Sequence, residues 1–104
     1  MICLINKSIQ KWYHIQNGGR DWGNINCALC KAYYHNNCAD CPIKKHTKLL
    51  WCTGTPYEKW HNHQKTEHDN LVYKVSCDVC NDIVNEEIEF LLLIKEEVKN
   101  VHIP

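Results

Sequence analysis

The chain has 104 residues, and its twelve Lys and Arg balance twelve Asp and Glu, so the formal net charge is zero. This length suits one domain, and a hydrophobic content of 44% with four Trp and five Tyr argues against extended disorder. A zero net charge argues against a dedicated nucleic-acid-binding protein, because such a protein carries an excess of basic residues on its binding surface. Eight cysteines approach the level that is typical of a disulfide or metal scaffold.

The charge is unevenly distributed along the chain. Residues 1–65 hold nine Lys and Arg against three Asp and Glu, whereas residues 66–104 hold three against nine. The simplest explanation is that the basic first part of the chain pairs with the acidic second part. We therefore expect a single domain over residues 1–104, in which a cysteine-rich metal module, 8–70, packs on an acidic helix, 81–100.

The N-terminal sequence "MICLINKSIQKW" has too short an apolar run for a signal peptide and lacks a small-residue cleavage site. The longest apolar run, "FLLLI" at residues 90–94, is far shorter than a membrane span. These features predict a cytoplasmic protein without a membrane partner, in a compartment where thiols are kept reduced.

The first predicted helix covers roughly residues 9–17. Ser8 is a suitable N-cap, and Gly18 stands where a left-handed C-terminal residue is common. One stripe of this helix carries Ile5, Ile9, Trp12 and Gln16, with Tyr13 beside it.

A second helix is predicted from Pro56 to about Asn70. Thr55 is a favourable N-cap, proline suits the first helical turn, and Glu58 completes a capping box. Tyr57, Trp60, Gln64 and Leu71 lie near one face of this helix. The alternating segment "LVYKVS", 71–76, predicts a short strand.

Residues 81–100 form the strongest helical pattern, and acidic residues crowd its first half, as the helix dipole prefers. Its wide apolar face is predicted to pack on the core, with partner binding as the alternative; the face comprises Ile83 or Val84, Ile88, Leu91, Leu92, Ile94 and Val98. The predicted fold class is a small mainly-α single domain, or α with a short hairpin, that is stabilised by a bound metal.

The segment "CALCKAYYHNNCADCP" places Cys27, Cys30, Cys38 and Cys41 in two Cys-x2-Cys pairs. Disulfides within such small rings remove little chain entropy, and cross-pairing needs an oxidising compartment. Two such pairs supply the four thiolates of a tetrahedral zinc site. An iron–sulfur cluster is the alternative, because "CADCP" has the Cys-Pro ending of such sites. Disulfides and a catalytic thiol remain further alternatives.

Three other thiols extend the possible ligand set. Cys52 precedes a predicted helix N-terminus, which favours a thiolate, so it is an alternate fourth ligand. Cys77 and Cys80 form a third pair, which either binds a second metal with Cys52 or a histidine, or caps the acidic helix. Cys3 is predicted to be a small buried hydrophobe.

The seven histidines do not form a zincin motif. His61 and His68 share a face of the second predicted helix, and His63 does not. Each of these three histidines is expected to be solvated or hydrogen-bonded. His35 and His46 lie nearest the four clustered thiols in sequence and are reserve ligands.

The cysteine pattern resembles that of a group of small uncharacterised proteins of phages and prokaryotes. Members read Cys-x2-Cys, a spacer, Cys-x2-Cys-Pro, a Thr and then Cys-x2-Thr-Pro-Tyr. The matching positions are Cys27, Cys30, Cys38, Cys41, Pro42, Thr47, Cys52, Thr55, Pro56 and Tyr57. The resemblance implies a metal-binding, phage-encoded protein in the host cytoplasm, and it implies no activity.

The sequence thus predicts a zinc-binding structural, interaction or regulatory protein with a protein partner. One alternative is a nucleic-acid-binding accessory protein that uses the basic, aromatic region 44–65, since cations mixed with aromatic rings bind single strands. Another is an iron–sulfur or redox protein. No catalytic constellation is apparent, so an enzyme is not expected.

Overall fold

The computed structural model describes residues 2–22, 43, 46, 54–68 and 73–101. These residues form three helices, which we number α1 (Ile2–Gln16), α2 (Pro56–Glu67) and α3 (Asp78–Val101). Within the described ranges no residue belongs to a strand, including the part of the predicted strand at 73–76. The predicted mainly-α class is confirmed. None of these helices is both long enough and apolar enough to cross a bilayer.

Helix α1 begins at Ile2, so the predicted start after Ser8 is wrong. The segment before Ser8 contains neither glycine nor proline, and Ile5, which is fully buried, extends the apolar stripe by one turn. Ser8 instead lies inside the helix and is 3% exposed.

The end of α1 is the one that the sequence predicts. Gly18 has a φ of 102°, a left-handed conformation that glycine adopts without a steric penalty. The amide of Gly18 donates to the Ile15 carbonyl at 3.1 Å, and that of Gly19 donates to the His14 carbonyl at 2.8 Å. This pair of hydrogen bonds is a Schellman motif, and it satisfies two carbonyls at the helix end.

Helix α2 begins at Pro56 with Thr55 as its N-cap residue, as predicted. The capping box is only partly formed, because the Thr55 side chain makes no cap hydrogen bond. The Glu58 carboxylate accepts from the amide of Gly54, at 2.5 Å, one residue before the expected donor. The helix ends at Glu67, which is earlier than the predicted Asn70.

Helix α3 packs against both α1 and α2 and supplies much of the core. Its predicted apolar face is largely confirmed, since the buried residues include Ile83, Val84, Ile88, Leu91 and Ile94. Leu92 is an exception at 41% exposed. The helix begins at Asp78 rather than at residue 81. Cys80 therefore lies in its first turn, and Cys77 immediately precedes it.

Trp60 of α2 is fully buried at the centre of this core. Its ring packs edge-on against Trp12 of α1, with centroids 5.5 Å apart. The indole Nε1–H donates to the carboxylate of Asp21 at 3.0 Å, and Asp21 also pairs with Lys11 at 2.8 Å. The buried carboxylate therefore has both a cation and a neutral donor, which offsets the cost of its burial.

Among the described residues, two contacts between a basic and an acidic side chain join the first part of the chain to the acidic helix. Lys59 lies 2.7 Å from a carboxylate oxygen of Glu86, and His46 lies 2.8 Å from one of Glu97. Both pairs are solvent-accessible, so each contributes little stability. They are contacts of the kind that the uneven charge distribution predicts.

Candidate metal centre

Four potential ligands meet where the C-terminal end of α2 approaches the N-terminal end of α3. His63 lies on α2, and His68 is its C-cap residue. Cys77 immediately precedes α3, and Cys80 lies in its first turn. One ligand atom from each residue lies within 4.8 Å of all the others, so the group could hold a metal ion. Cys80 is buried and the other three are partly buried.

Five of the six separations between these four atoms lie between 3.2 and 3.5 Å. The two imidazole Nε2 atoms lie 3.2 Å apart, and the two Sγ atoms lie 3.5 Å apart. Nitrogen–sulfur separations are 3.3 Å for His63 and Cys77, 3.4 Å for His68 and Cys77, and 3.3 Å for His68 and Cys80. With the sixth separation, between His63 and Cys80, within 4.8 Å, the four atoms outline a small, roughly tetrahedral group.

This tetrahedron has the size that a zinc-like ion requires. Metal–nitrogen bonds near 2.05 Å and metal–sulfur bonds near 2.3 Å give ligand separations of about 3.3 Å for N–N, about 3.6 Å for N–S and about 3.8 Å for S–S. The observed separations agree with these to within about 0.3 Å. A cation at the centre would also relieve the repulsion between lone pairs that face one another.

Further contacts orient the ligands. The Nδ1 atom of His68 lies 3.3 Å from the Ser76 hydroxyl, which can accept its proton and leave Nε2 free for a metal. The Gln64 amide donates to the Cys80 sulfur at 3.2 Å. The Cys80 amide donates to the Cys77 sulfur at 3.4 Å. Donors aimed at sulfur favour the thiolate, which is the ligating form.

The Cys80 thiol reflects this environment. Burial raises the pKa of Cys80, but hydrogen bonds from the Ser76 backbone, from Cys77 and Gln64, and from the Ser76 hydroxyl bring the pKa below its ordinary value. These hydrogen bonds favour the thiolate form of Cys80.

The break in helix α2 brings the two histidines together. His68 lies five positions after His63 along the chain, so a continuous helix would set them about 140° apart around its axis. The helix stops at Glu67, and His68 adopts extended dihedrals of −132° and 163°. This change of direction turns the His68 ring back towards His63, with ring centroids 4.9 Å apart.

Sequence reasoning missed His63 and His68 as ligands, because it treated them as residues of one uninterrupted helix. It did allow that Cys77 and Cys80 bind a metal with a histidine, and the structure brings such partners to them. The available signal was the spacing: His-x4-His followed by Cys-x2-Cys has the pair spacings of a Cys2His2 site in reversed order.

The ligands predicted for the zinc site of the two clustered Cys-x2-Cys pairs lie outside the described residues. These are Cys27, Cys30, Cys38, Cys41 and the alternate ligand Cys52, together with the reserve ligand His35. The other reserve ligand, His46, contacts Glu97 and packs edge-on against Phe90. Cys3 is exposed, so its predicted burial is wrong; it lies off the buried stripe of α1.

The basic, aromatic region 44–65 is partly committed to internal contacts. Trp60 is fully buried and cannot stack on a base, and the Lys59 ammonium donates to both carboxylate oxygens of Glu86. Lys65 is exposed. Most of residues 44–53 lie outside the described ranges.

The chain matches no protein-family model, no curated protein and no solved structure.

Proposed function

We propose that this is a small zinc-binding protein in which His63, His68, Cys77 and Cys80 hold one structural ion. The single observation that carries the proposal is the convergence of two imidazole nitrogens and two thiol sulfurs within 4.8 Å. Such a set matches the Cys2His2 donors of structural zinc sites in number, type and spacing.

The donor chemistry favours zinc over other ions. Thiolate sulfur and imidazole nitrogen suit zinc, whereas calcium and magnesium prefer oxygen ligands. Two thiolates also balance the two positive charges of the ion, so a partly buried site carries no net charge. An iron–sulfur cluster spreads its protein ligands over several irons. The short mutual separations of these four atoms favour a single ion.

The proposed role is structural. Four protein ligands leave no open coordination position for water or a substrate. Two ligands come from the end of α2 and two from the start of α3, so the ion would fix how these helices meet. Function would then lie on the surface, as an interaction or regulatory module with a protein partner. Exposed leucines of α3, Leu92 at 41% and Leu93 at 49%, are compatible with this role.

The four clustered cysteines would then require an ion of their own. Because Cys77 and Cys80 have histidine partners, they are not needed to complete the site predicted for Cys27, Cys30, Cys38 and Cys41, with Cys52 as alternate fourth ligand. We therefore propose two zinc ions per chain. Both require reduced thiols, which is consistent with the predicted cytoplasmic location.

Metal analysis of single variants tests the proposal for the described site. We expect His63→Asn and His68→Asn each to lose one zinc ion per chain relative to the unchanged protein. His61→Asn is the matched control: it lies on the same helix, where its ring stacks on Tyr73. Equal zinc content in all three variants and the parent would contradict the site.

A further inference from the structure

The two thiols of the candidate metal centre differ in exposure and occupy the start of one helix. Cys77 is partly exposed and immediately precedes α3, whereas Cys80 is fully buried one turn later. Their sulfurs lie 3.5 Å apart. A partly exposed thiol beside a buried one at a helix N-terminus combines an accessible nucleophile with a second thiol that can resolve its oxidised form.

We infer that Cys77 and Cys80 are a reversible oxidation site. Their conversion to a disulfide by peroxide releases the metal and removes the link that the metal makes between α2 and α3. This inference rests on the proposed function, because it names the regulation of that same site. It requires no residue outside the described ranges.

The chemistry balances in two steps. The Cys77 thiolate attacks one oxygen of hydrogen peroxide, so an S–O bond forms, the O–O bond breaks and hydroxide leaves. The Cys80 thiolate then attacks the Cys77 sulfur, so an S–S bond forms, the S–O bond breaks and a second hydroxide leaves. Two thiolates lose two electrons, and one peroxide gains them. Exchange with a dithiol reductant reverses the disulfide.

Loss of the metal follows from the ligand count. A disulfide sulfur is no longer a thiolate, so oxidation removes two of four ligands at once and leaves only His63 and His68. Two neutral imidazoles cannot match the affinity of the full set. The ends of α2 and α3 would then lose the link that the ion provides.

Trypsin digestion allows the oxidation state of the two thiols to be measured separately from the other cysteines. Cleavage after Lys74 and Lys95 gives a peptide whose only cysteines are Cys77 and Cys80. The zinc-loaded full-length chain is treated with hydrogen peroxide, its free thiols are alkylated, and the 75–95 peptide is weighed. We expect a peptide about 2 Da lighter than its reduced form and resistant to alkylation, formed in step with zinc release. Treatment with a dithiol should restore both thiols and, with zinc, one bound ion.

Cys3→Ser is the matched control, since Cys3 is an exposed thiol outside the candidate metal centre. We expect peroxide to form the same disulfide in the 75–95 peptide of this variant, with the same loss of zinc, as in the parent. Zinc loss while the 75–95 peptide keeps two free thiols, or carries sulfinic acids, would overturn the inference. Zinc content before peroxide, compared between the parent and His63→Asn, tests the proposed site separately. If only the parent holds the extra ion but no disulfide forms, the oxidation site alone is refuted.

Discussion

The imidazole Nε2 atoms of His63 and His68 lie 3.2 Å apart, with the sulfur of Cys77 within 3.4 Å of both. Lone-pair donors converge in this way where a cation or shared protons lie between them. The arrangement joins the end of α2 to the start of α3. The stability of that junction should therefore depend on metal.

Chelation is expected to loosen this junction more than the rest of the fold. Structural zinc can supply about 10 kcal/mol in small zinc-finger peptides, although here α1 and α3 retain their own apolar contacts. A strong chelator with reductant should lower the melting temperature. Amide hydrogen exchange should rise most at the end of α2 and at residues 73–80. An unchanged melt and exchange pattern would contradict a structural role for metal.

Gln64 is expected to tune the ligands although it does not itself bind metal. It is fully buried, and its amide donates to the Cys80 sulfur. In Gln64→Glu a carboxylate would face a thiolate, so we expect zinc affinity to fall about 10- to 100-fold. Competition with a chromophoric chelator measures this. The exposed neighbour supplies the control variant, Lys65→Gln, which should bind like the parent. Equal affinity in both variants would show that Gln64 has only a packing role.

The cysteine variants should separate two independent ions. Cys27→Ser should remove one ion by disrupting the predicted four-cysteine site, and the Cys77→Ser/Cys80→Ser double variant should remove the other. A combined variant should hold neither. Elemental analysis with native mass spectrometry gives the count. If the double variant keeps every ion of the parent, the described site does not bind zinc; if Cys27→Ser does, the four-cysteine site is wrong.

The buried Trp60 should contribute more stability than the exposed Trp22. Trp60→Ala removes a fully buried ring and its hydrogen bond to Asp21, so we expect a loss of about 3–5 kcal/mol. Trp60→Phe should lose less, because most of the contact with Trp12 can persist. Trp22, at 52% exposed, provides the control, and Trp22→Phe should change stability by about 0.5 kcal/mol or less. Urea unfolding of zinc-loaded protein under reductant measures all three.

The start of α2 can be tested through Glu58 rather than through its N-cap residue. The Glu58 carboxylate accepts the Gly54 amide, so Glu58→Ala should cost about 1 kcal/mol. Glu58→Gln retains an acceptor oxygen and should cost less. Thermal unfolding of the two variants beside the parent decides this. A Glu58→Ala variant as stable as the parent would mean that water replaces the carboxylate at no cost.

The sequence by itself determined the features that depend on neighbours along the chain. Helical periodicity predicts the buried face of α3, proline after threonine predicts the start of α2, and Gly18 predicts the end of α1, because each depends on one or two turns of local backbone. The start of α1 was less predictable, since Ser8 has the same local signature inside a helix as before one.

Only the tertiary structure decided the candidate metal centre. Periodicity places His63 and His68 on different faces, and nothing local shows that the helix stops at Glu67. Their convergence depends on the extended backbone of His68 and on the start of α3 placing Cys77 and Cys80 at the same point. That return is set by the packing of Ile83, Val84 and their neighbours against α1 and α2, which is a long-range property. Ligand spacing can indicate such a site, but it cannot place four donor atoms at the corners of one tetrahedron.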